Sequence, residues 1–510
     1  MSIAFDLLTP AQLEKWIHTQ AVIDRQGNEA AKVRALREYY AGDHPTMLSA
    51  RMQEFLGGIV ADDAFTFAHN MVRSVIDTLA ERLSVEGFTV NGASAEAEEG
   101  EATGPDNATA ALLWEWWKGN GSDITEQDVY LAALRDGTAY VMVDFDPETG
   151  GPRFTVHEAD DGESGVRLHR DPSDKRRVLA ATRYFWDSDG QGRQIERKTV
   201  YLPGEIRKYK RGGSMGGWEP IQDAGDLAWP LPWRDATGQP IGVAVVEFSN
   251  PGGPECAQIV GLQNLLNKAW LDLIAAADAS GFPLLVAEYA PGGAPLGGSR
   301  DDDDLEGSDE FRIAPGRMIE IEGNLHRIEA ANLLPMLETI WAVVAAIAGV
   351  SRTPQYYLRP QGGGDVPSGE ALKQLESGLV ARAKKRQRIF GQAWEEVMHL
   401  ALRVQATFGG GVTVTERPRI ETQWADAETR NEVAQSQIAE AHKRLNVPDV
   451  AVWAQLGYTP EEIAEFQAIA QQARAQDVAT IAAALRTQQP AQVQGNGAQV
   501  APVNGNGVVQ

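Results

Sequence analysis

The residues best suited to chemistry in this sequence lie around one short turn between two predicted strands. Asp187 or Asp189 is followed by Glu196-Arg197-Lys198. An Asp, a Glu and a Lys on adjacent strands can hold a metal ion and orient a water molecule, as in metal-dependent nucleases. The intervening sequence DSDGQGR is typical of a tight hairpin, where exposed charges are ordinary. A metal-dependent nuclease is therefore kept only as an alternative function.

Other signatures of enzyme chemistry are absent from the sequence. It contains no phosphate-binding loop, no dinucleotide fingerprint after a strand, no nucleophile elbow and no His-Glu-x-x-His motif. The eight histidines are scattered, and the single cysteine, Cys256, excludes a multi-cysteine zinc site. The acidic run Asp301–Asp304 indicates a solvated loop, because consecutive like charges repel. We predict a protein that is not an enzyme and has no catalytic, cofactor or metal site.

Composition places the chain among soluble, folded proteins of a reducing compartment. Its 510 residues are 43% hydrophobic and include one cysteine, so no intrachain disulfide can form. No signal peptide and no membrane-spanning segment is apparent. The formal charge of −25 argues against a protein that grips nucleic acid over a broad basic face. It does not argue against a protein that lets nucleic acid pass without sticking.

Two predicted helices around a glycine-rich loop organise the chain. The first covers 333–348. Its apolar part, Met336 to Ala348, is short for a membrane span and contains Glu338, so we expect the helix to be packed on all sides. The polar loop from Ser351 to Pro367 follows. A long amphipathic helix of about 38 residues begins after Ser368, a suitable N-cap. Gly378 and Gly391 are candidate kinks in that helix.

The long helix carries a basic run that stands out in an acidic chain. These residues either face DNA or form a solvated face that pairs with acids such as Glu376 or Glu395, and the sequence leaves both readings open. The run comprises Arg382, Lys384, Lys385, Arg386 and Arg388.

The N-terminal half alternates between helical and β-rich patterns. A capping box at Thr9-Pro10-Ala11-Gln12 opens the first helix. A helical apolar face is predicted between Asn70 and Phe88. The pattern becomes β-rich between Thr138 and Val246, where Asp/Gly turns separate several strand candidates.

The C-terminal half is mainly helical. A helix with an apolar stripe is predicted over Glu255 to Ser280, and residues 281–325 form a small β-containing excursion before the next apolar helix. Helices are predicted again over 421–486. The final segment, 487–510, is low in complexity and is predicted to be disordered.

Taken together, these stretches resemble the portal proteins of tailed bacteriophages, of the siphophage type common in phages of actinobacteria. The resemblance covers residues 10–470 and depends on the order and spacing of several motifs. They are YYAGDHP and NMVRSVIDTLAERLSVEGF, then WRDATGQPIGVAVVEFSN and QNLLNKAWLDLIAAADASGFP, then GVSRTPQYYL, PSGEALKQLE and FGQAWEEVMHLAL.

The resemblance implies an α+β portal fold that assembles as a ring, usually of twelve subunits. This fold comprises a mixed α/β wing, a two-helix stem, a small β-containing clip, a long kinked helix and a helical crown. The implied segments are the wing (1–254), stem helices (255–280 and 326–349), clip (281–325), tunnel loop (350–367), long wing helix with a following strand (368–420), crown (421–486) and disordered tail (487–510).

The resemblance also implies a structural protein at one vertex of the capsid. Portals of this family nucleate procapsid assembly, admit double-stranded DNA driven by terminase, hold it, and release it through the tail. A non-channel scaffold or adaptor protein of the virion is the other alternative.

The implied partners are further copies of the chain, the terminase large subunit, the head–tail connector, the major capsid protein with its scaffold, and DNA contacted without sequence specificity. No membrane partner is implied. Assembly in the bacterial host cytoplasm and a final location in the virion are expected.

Two sets of site residues follow from the resemblance. The tunnel loop would line the narrowest part of the channel, where glycines permit changes of shape and polar groups contact passing phosphates. Tyr356 and Tyr357 would anchor the base of this loop. Its residues are Gln355, Tyr356, Tyr357, Arg359, Gln361, Gly362, Gly363 and Gly364. The clip would dock terminase and connector through Phe282, Leu284, Val286, Phe311, Ile313 and Met318.

Overall fold

The chain forms two compact units, 1–429 and 430–510, in a computed structural model. Of the second unit only Ile463 and Phe466 are described, so most of the predicted crown and all of the predicted tail lie outside the described residues. The described residues are 8–26, 29–45, 69–91, 93–94, 105–188, 191–212, 217–221, 230–281, 285–287, 318–320, 325–327, 332–359, 369–410, 417–428, 463 and 466.

Two helices open the described chain. Helix α1 covers Pro10–Gln26 and helix α2 covers Glu29–Ala41. The predicted capping box is confirmed, because the Thr9 N–H donates to Gln12 Oε1 at 2.9 Å and the Gln12 N–H donates to Thr9 Oγ1 at 3.3 Å. These reciprocal bonds satisfy backbone donors that the first helical turn leaves without partners.

Helix α3 (Met71–Ala80) leads into the first sheet, and all of its apolar residues are buried. The helical pattern predicted up to Phe88 is wrong in its last part, because strand β1 (Val85–Val90) begins there and pairs with β2 (Ala93–Ser94). The other neighbour of β1 is the last described strand, Ile420–Trp424. This strand shows that the predicted helical crown does not begin at 421.

A second sheet follows helices α4 (Pro105–Gly119) and α5 (Ser122–Asp136). Its central strand is β3 (Thr138–Asp146), and β4 (Gly151–Glu158) pairs with it in an antiparallel direction. The third strand of this sheet is Val245–Ser249. The stretch 139–143 is buried without alternation, because this central strand is covered on both faces.

A third, six-stranded sheet accounts for most of the predicted β-rich segment. Its main path has the antiparallel order β10-β8-β7-β6-β5, and β9 pairs with β8. Ile17 of α1 packs on one face of this sheet against Ala180 and Val200. The strands are β5 (Gly165–Arg170), β6 (Val178–Ser188), β7 (Gln194–Leu202), β8 (Glu205–Arg211), β9 (Glu219–Pro220) and β10 (Leu231–Pro232).

Two helices bracket the fourth sheet, as the sequence predicted. After β11 (Val245–Ser249) and a 3₁₀ turn, helix α6 covers Val260–Gly281, and helix α7 covers Leu334–Ser351. Between them β12 pairs in parallel with β13 and antiparallel with β14. These short strands are β12 (Leu285–Ala287), β13 (Met318–Glu320) and β14 (Leu325–Arg327).

The longest described helix, α9 (Gly369–Val404), follows the short helix α8 (Gln355–Leu358). It has 36 residues and continues into a π turn before β15 (Ile420–Trp424). Both candidate kink glycines lie inside this helix, which is continuous from Gly369 to Val404. Gly391 allows close approach of β15, since a Cβ there would lie 3.1 Å from Trp424 Nε1 and Thr422 Oγ1 donates to the Gly391 carbonyl at 3.1 Å.

Aromatic side chains pack α9 into the core of the first unit. The Trp394 ring lies 4.7 Å from the rings of both Trp117 and Phe248, centroid to centroid. Its Nε1–H donates to the buried Tyr130 hydroxyl at 2.9 Å. The tryptophans of α4 are packing anchors, because edge-to-face aromatic contacts add to the burial of large apolar rings.

Candidate functional site at the base of the 352–368 loop

The described start of the loop between α7 and α9 is held in a fixed shape by backbone bonds. Arg352 caps α7 in the left-handed conformation, with φ of 51°. The Thr353 N–H then donates to the Ala348 carbonyl at 3.1 Å. Pro354 redirects the chain into α8, the single turn Gln355–Leu358. The apolar end of this turn is anchored, because Leu358 is buried.

One buried carboxylate gathers the two adjacent tyrosines of this turn. The hydroxyls of Tyr356 and Tyr357 both donate to Glu376 Oε1 on α9, the second at 3.1 Å. Arg82, after α3, donates to the Tyr357 hydroxyl at 2.6 Å and to Glu376 Oε1 at 3.3 Å. Burial and the bond to Glu376 raise the pKa of Tyr356 well above its ordinary value, so the hydroxyl remains a donor at neutral pH.

A second buried ionic group lies further along α9 and joins it to the start of α6. Glu255 accepts from Arg382 Nη2 at 2.8 Å and also from Arg386. Arg386 Nε donates to Asn250 Oδ1 at 3.1 Å, and Arg382 donates to the carbonyl of Ser351, the last residue of α7. This group therefore connects three segments that are distant in sequence: the turn before α6, the end of α7, and α9.

The electrostatics of this group depend on the pairing. Burial alone would raise the pKa of the Glu255 carboxyl, but Arg382 and Arg386 outweigh it and hold the pKa below the ordinary value. Burial lowers the pKa of Arg382. Removing any one charge would leave the others in a low-dielectric interior without compensation. The arrangement fixes the geometry of the loop base and offers no nucleophile or proton donor to a substrate.

The basic run on α9 divides into two sets. Arg382 and Arg386 are buried, so the prediction that they face DNA is wrong, and their partner is Glu255 rather than the predicted Glu376 or Glu395. Lys384 is exposed and pairs with Glu428 at 2.8 Å. Lys385 and Arg388 are exposed as well, because the helical period places residues three and four apart on one face and the others on the opposite one.

The predicted tunnel-loop residues are only partly described. Gln355 is exposed, whereas Tyr356 and Tyr357 are fixed to Glu376 as the loop-base anchors that the sequence suggested. The Arg359 guanidinium lies 4.5 Å above the Trp341 ring of α7, a cation–π contact. Gln361, Gly362, Gly363 and Gly364 lie outside the described residues.

The predicted clip residues are described only where they belong to strands. Val286 is the middle residue of β12 and is paired with Ile319, and Met318 begins β13 opposite Leu285. The other four, Phe282, Leu284, Phe311 and Ile313, lie outside the described residues.

The nuclease arrangement that uses Asp187 is contradicted by strand register. Asp187 lies opposite Ile195, whereas Glu196 lies opposite Trp186. Successive side chains of a strand point to opposite faces, so Asp187 is on the other face of the sheet from Glu196 and Lys198. Asp187 pairs with Arg197 at 2.6 Å, and Glu196 accepts from Arg211 Nε at 2.9 Å. Among the described residues, no group of three metal-ligating side chains is found. Asp189 lies outside the described residues.

Helix α7 has one buried and one exposed apolar face. The expectation that it is packed on all sides is wrong within a single subunit. Ile340, Val343, Val344 and Ile347 are buried, while Ala342, Ala346 and Val350 on the opposite side are exposed. By length and composition it is the one helix of the described chain apolar enough to cross a membrane, and 33% of it is buried.

A family profile described as "Phage portal protein, SPP1 Gp6-like" matches residues 20–478. The chain belongs to this phage portal protein family. It is similar to the portal protein of Mycobacterium phage L5, with 25% identity over 383 residues, 72% of this chain and 70% of the relative. It is also similar to the portal protein of Mycobacterium phage D29, with 26% identity over 385 residues and the same two shares.

Solved structures with a similar chain include two necks of gene transfer agent (GTA) particles. The neck of the native particle, computed with C12 symmetry, has a TM-score of 0.38 and 13% identity, covering 76% of this chain and 88% of that chain. The neck of the empty particle, computed with C6 symmetry, has a TM-score of 0.38 and 13% identity, covering 81% and 95%. The predicted family is confirmed by the profile match.

Sequence patterns did not reveal which residues pair with the carboxylates that hold the site together. Glu255 lies 127 positions before Arg382, and Arg82 lies 294 positions before Glu376. No local pattern connects residues so far apart. The usable signal was the helical period of the basic run, which places Arg382 and Arg386 on the same face as the buried Leu379 and Phe390.

Proposed function

We propose that this chain assembles into the ring-shaped portal of a tailed phage, a dodecameric channel through which double-stranded DNA enters and leaves the head. Membership of the portal family over residues 20–478 carries this proposal. The ring would nucleate procapsid assembly and dock the connector. It would sit at one vertex of the virion after assembly in the host cytoplasm.

The exposed apolar face of α7 supports the assembly part of the proposal. Ala342, Ala346 and Val350 lie at successive turns of that face, and Val350 is 47% exposed. Exposed contiguous apolar surface marks an interface with another protein, and small residues allow a neighbouring helix to approach closely. A second copy of the chain is the partner that a closed ring provides.

Charge supports the passage of DNA. A ring of twelve chains would carry a formal charge of roughly −300 on the basis of −25 per chain. An acidic wall repels phosphate, whereas many Lys and Arg contacts would hold DNA in place. The ionic groups around Glu376 and Glu255 fix the base of the loop 360–368, which would then border the channel on a rigid support.

Terminase and connector would dock on the small sheet β12-β13-β14, because two helices hold it between them. The capsid protein and scaffold would contact the outer part of the ring. Deletion of 281–325 is expected to abolish terminase and connector binding while assembled rings survive. If both partners bind the deletion variant as they bind the wild type, this sheet is not the docking surface.

The decisive experiment is negative-stain electron microscopy of the purified chain together with native mass spectrometry. We expect rings with a central hole of duplex width, and a mass that gives the number of subunits. The variant Ala342→Glu places a charge on the exposed face of α7 and is expected to yield folded, unassembled chains. A wild-type protein that forms no ring at any concentration, with or without scaffold, would overturn the proposal.

A further inference from the structure

The backbone of Arg352, the residue that ends α7, has a conformation that arginine seldom adopts. Its φ is 51°, and among the described residues Asn91 is the only other non-glycine residue with a positive φ. The left-handed conformation brings the Cβ of an L-residue close to the following carbonyl oxygen, so glycine or asparagine is the usual residue there. The local fold therefore gives no reason for an arginine at this position.

The end of α7 has the hydrogen bonds of a Schellman motif. The Thr353 N–H donates to the Ala348 carbonyl at 3.1 Å, and the Arg352 N–H donates to the Gly349 carbonyl at 3.4 Å. This pair of bonds places Arg352 at C′, the position at which helices most often have glycine. Both bonds are made by the backbone, so the helix end does not need the arginine side chain.

Electrostatics add a second cost to this side chain. The buried Arg382 donates to the carbonyl of Ser351, the residue before Arg352. Burial first, and then the charges of Arg386 and Arg352, lower the pKa of Arg382 below its ordinary value, against the effect of Glu255. Like charges repel, so Arg352 disfavours the charged form that the buried ion pair requires. Strained residues of this kind are concentrated at functional sites.

The Arg352 guanidinium is available to an external ligand. The side chain is exposed and has no hydrogen-bond or ion-pair partner among the residues that the structure describes. Arg359, after the single-turn helix α8, is also exposed and lies over the Trp341 ring, and it too has no carboxylate partner in the described part of the chain. Gln355 is exposed between these two arginines. The loop base thus presents several hydrogen-bond donors and two unpaired positive charges.

The chemistry of these three side chains selects a phosphate ligand. The planar guanidinium group matches phosphate oxygens in a bidentate geometry, and a side-chain amide adds a neutral donor. Such groups make the contacts to nucleic-acid phosphates, which carry no sequence information, whereas the core of a protein–protein interface is apolar. Affinity grows with the number of phosphates neutralised, so two arginines in each subunit contact a duplex without fixing it in place.

We propose that Arg352 is a DNA-contact residue, whose guanidinium binds backbone phosphates of a passing duplex together with Arg359 and Gln355. The inference rests on the proposed portal function and adds a residue that no sequence pattern singled out. The end of α7 is a rigid support for this contact, because its Schellman bonds and the bond from Arg382 to Ser351 fix the backbone on both sides.

The variant Arg352→Gly separates a DNA contact from a structural role. Because it removes both the strained φ and the repulsion, its unfolding midpoint is expected to equal or exceed that of the wild type. Because it also removes a phosphate contact, assembled rings are expected to bind a short labelled duplex of mixed sequence roughly threefold more weakly or worse, with a smaller dependence on salt. Arg352→Lys keeps the charge and is expected to restore most of the binding. Fluorescence anisotropy measures the affinity.

Arg176→Gln is the matched control, because Arg176 is exposed in the turn between β5 and β6 and its side chain has no partner among the described residues. This variant is expected to bind the duplex as the wild type does. Four results would each overturn the inference: wild-type affinity of Arg352→Gly rings, a lower unfolding midpoint of that variant, an equal loss in the control, or no recovery with Arg352→Lys. Absence of wild-type rings would instead reject the proposed function.

Discussion

Helices α7 and α9 differ in where they place their polar and apolar groups. α7 is the most apolar described helix, yet one of its faces is exposed in the isolated subunit. α9 is rich in charge, yet Glu376, Arg382 and Arg386 are buried along it. Each of these three buried charges has its partner within the same chain, so the buried ion pairs are complete in one subunit. The exposed apolar face of α7 is not covered in the described part of the subunit.

This difference separates folding from assembly. Buried ion pairs make α9 essential to the geometry of one subunit, since an unpaired interior charge is strongly destabilising. Exposed apolar surface adds nothing to the fold of a lone subunit but favours association. Substitutions on α9 should therefore act on unfolding, and substitutions on the outer face of α7 should act on the oligomeric state.

The largest expected effect separates the two faces of α7. Val344→Glu would bury an unpaired carboxylate where the side chain is fully buried, and is expected to destabilise the subunit by about 4 kcal/mol or more. Ala346→Glu on the exposed face is expected to change the free energy of unfolding by less than about 0.5 kcal/mol while preventing assembly. Denaturant unfolding followed by circular dichroism, beside native mass spectrometry, measures both. Equal destabilisation would show that the outer face is covered within the subunit.

Removal of Glu255, the carboxylate that pairs with Arg382 and Arg386 of α9, should have the next largest effect. Glu255→Ala leaves Arg382 and Arg386 buried without their carboxylate and is expected to destabilise the subunit by about 3–5 kcal/mol. The control is Lys384→Ala, which breaks the pair with Glu428 whose side chains are 48% and 46% exposed, and should change stability by less than about 1 kcal/mol. Similar unfolding midpoints for the two variants would contradict the difference drawn between buried and exposed charges.

A smaller, local effect is expected at the tyrosine anchor. Glu376→Gln keeps an acceptor for Tyr356 and Tyr357 but removes the charge that faces Arg82, and should destabilise by about 1–3 kcal/mol. Hydrogen exchange of the amides in α8 should accelerate, while exchange in β3 should not change. Tyr357→Phe removes the hydroxyl that bonds to Arg82 and to Glu376 but keeps the Arg82–Glu376 ion pair, and is the comparison for the charge itself. Unchanged exchange in α8 would mean that Glu376 does not hold the loop base.

The smallest effect is a pH dependence carried by α9. Burial, aided by the charge of Arg417, lowers the pKa of His399 to about 4, below the ordinary value near 6.5. The unfolded state therefore takes up the proton first, so this contribution to stability is complete above pH 6.5 and is lost as the pH falls toward 4. His399→Gln should reduce, without abolishing, the change in unfolding midpoint between pH 7 and 4.5, because burial also lowers the pKa values of His157 and His169. The buried face of α7 contains no titratable side chain, so its contacts should not respond.

The sequence was sufficient for the elements whose signal is local. The capping box at Thr9, the apolar face of α3 and the length of α9 depend on residues within one or two helical turns, so periodicity and caps revealed them. The strand at 85–90 was missed because its residues continue the apolar spacing of α3. Strand β15 was missed because only its pairing with β1 makes it a strand.

The candidate site divides in the same way. The two tyrosines and the basic run were predicted from composition and spacing. Only the tertiary structure decided that Arg382 and Arg386 turn inward to Glu255 and that Asp187 and Glu196 lie on opposite faces of one sheet. The first outcome depends on which distant segments meet, since sequence spacing carries no information about contacts between residues more than a hundred positions apart. The second depends on the register of the β6–β7 pair, which the hairpin sequence does not determine.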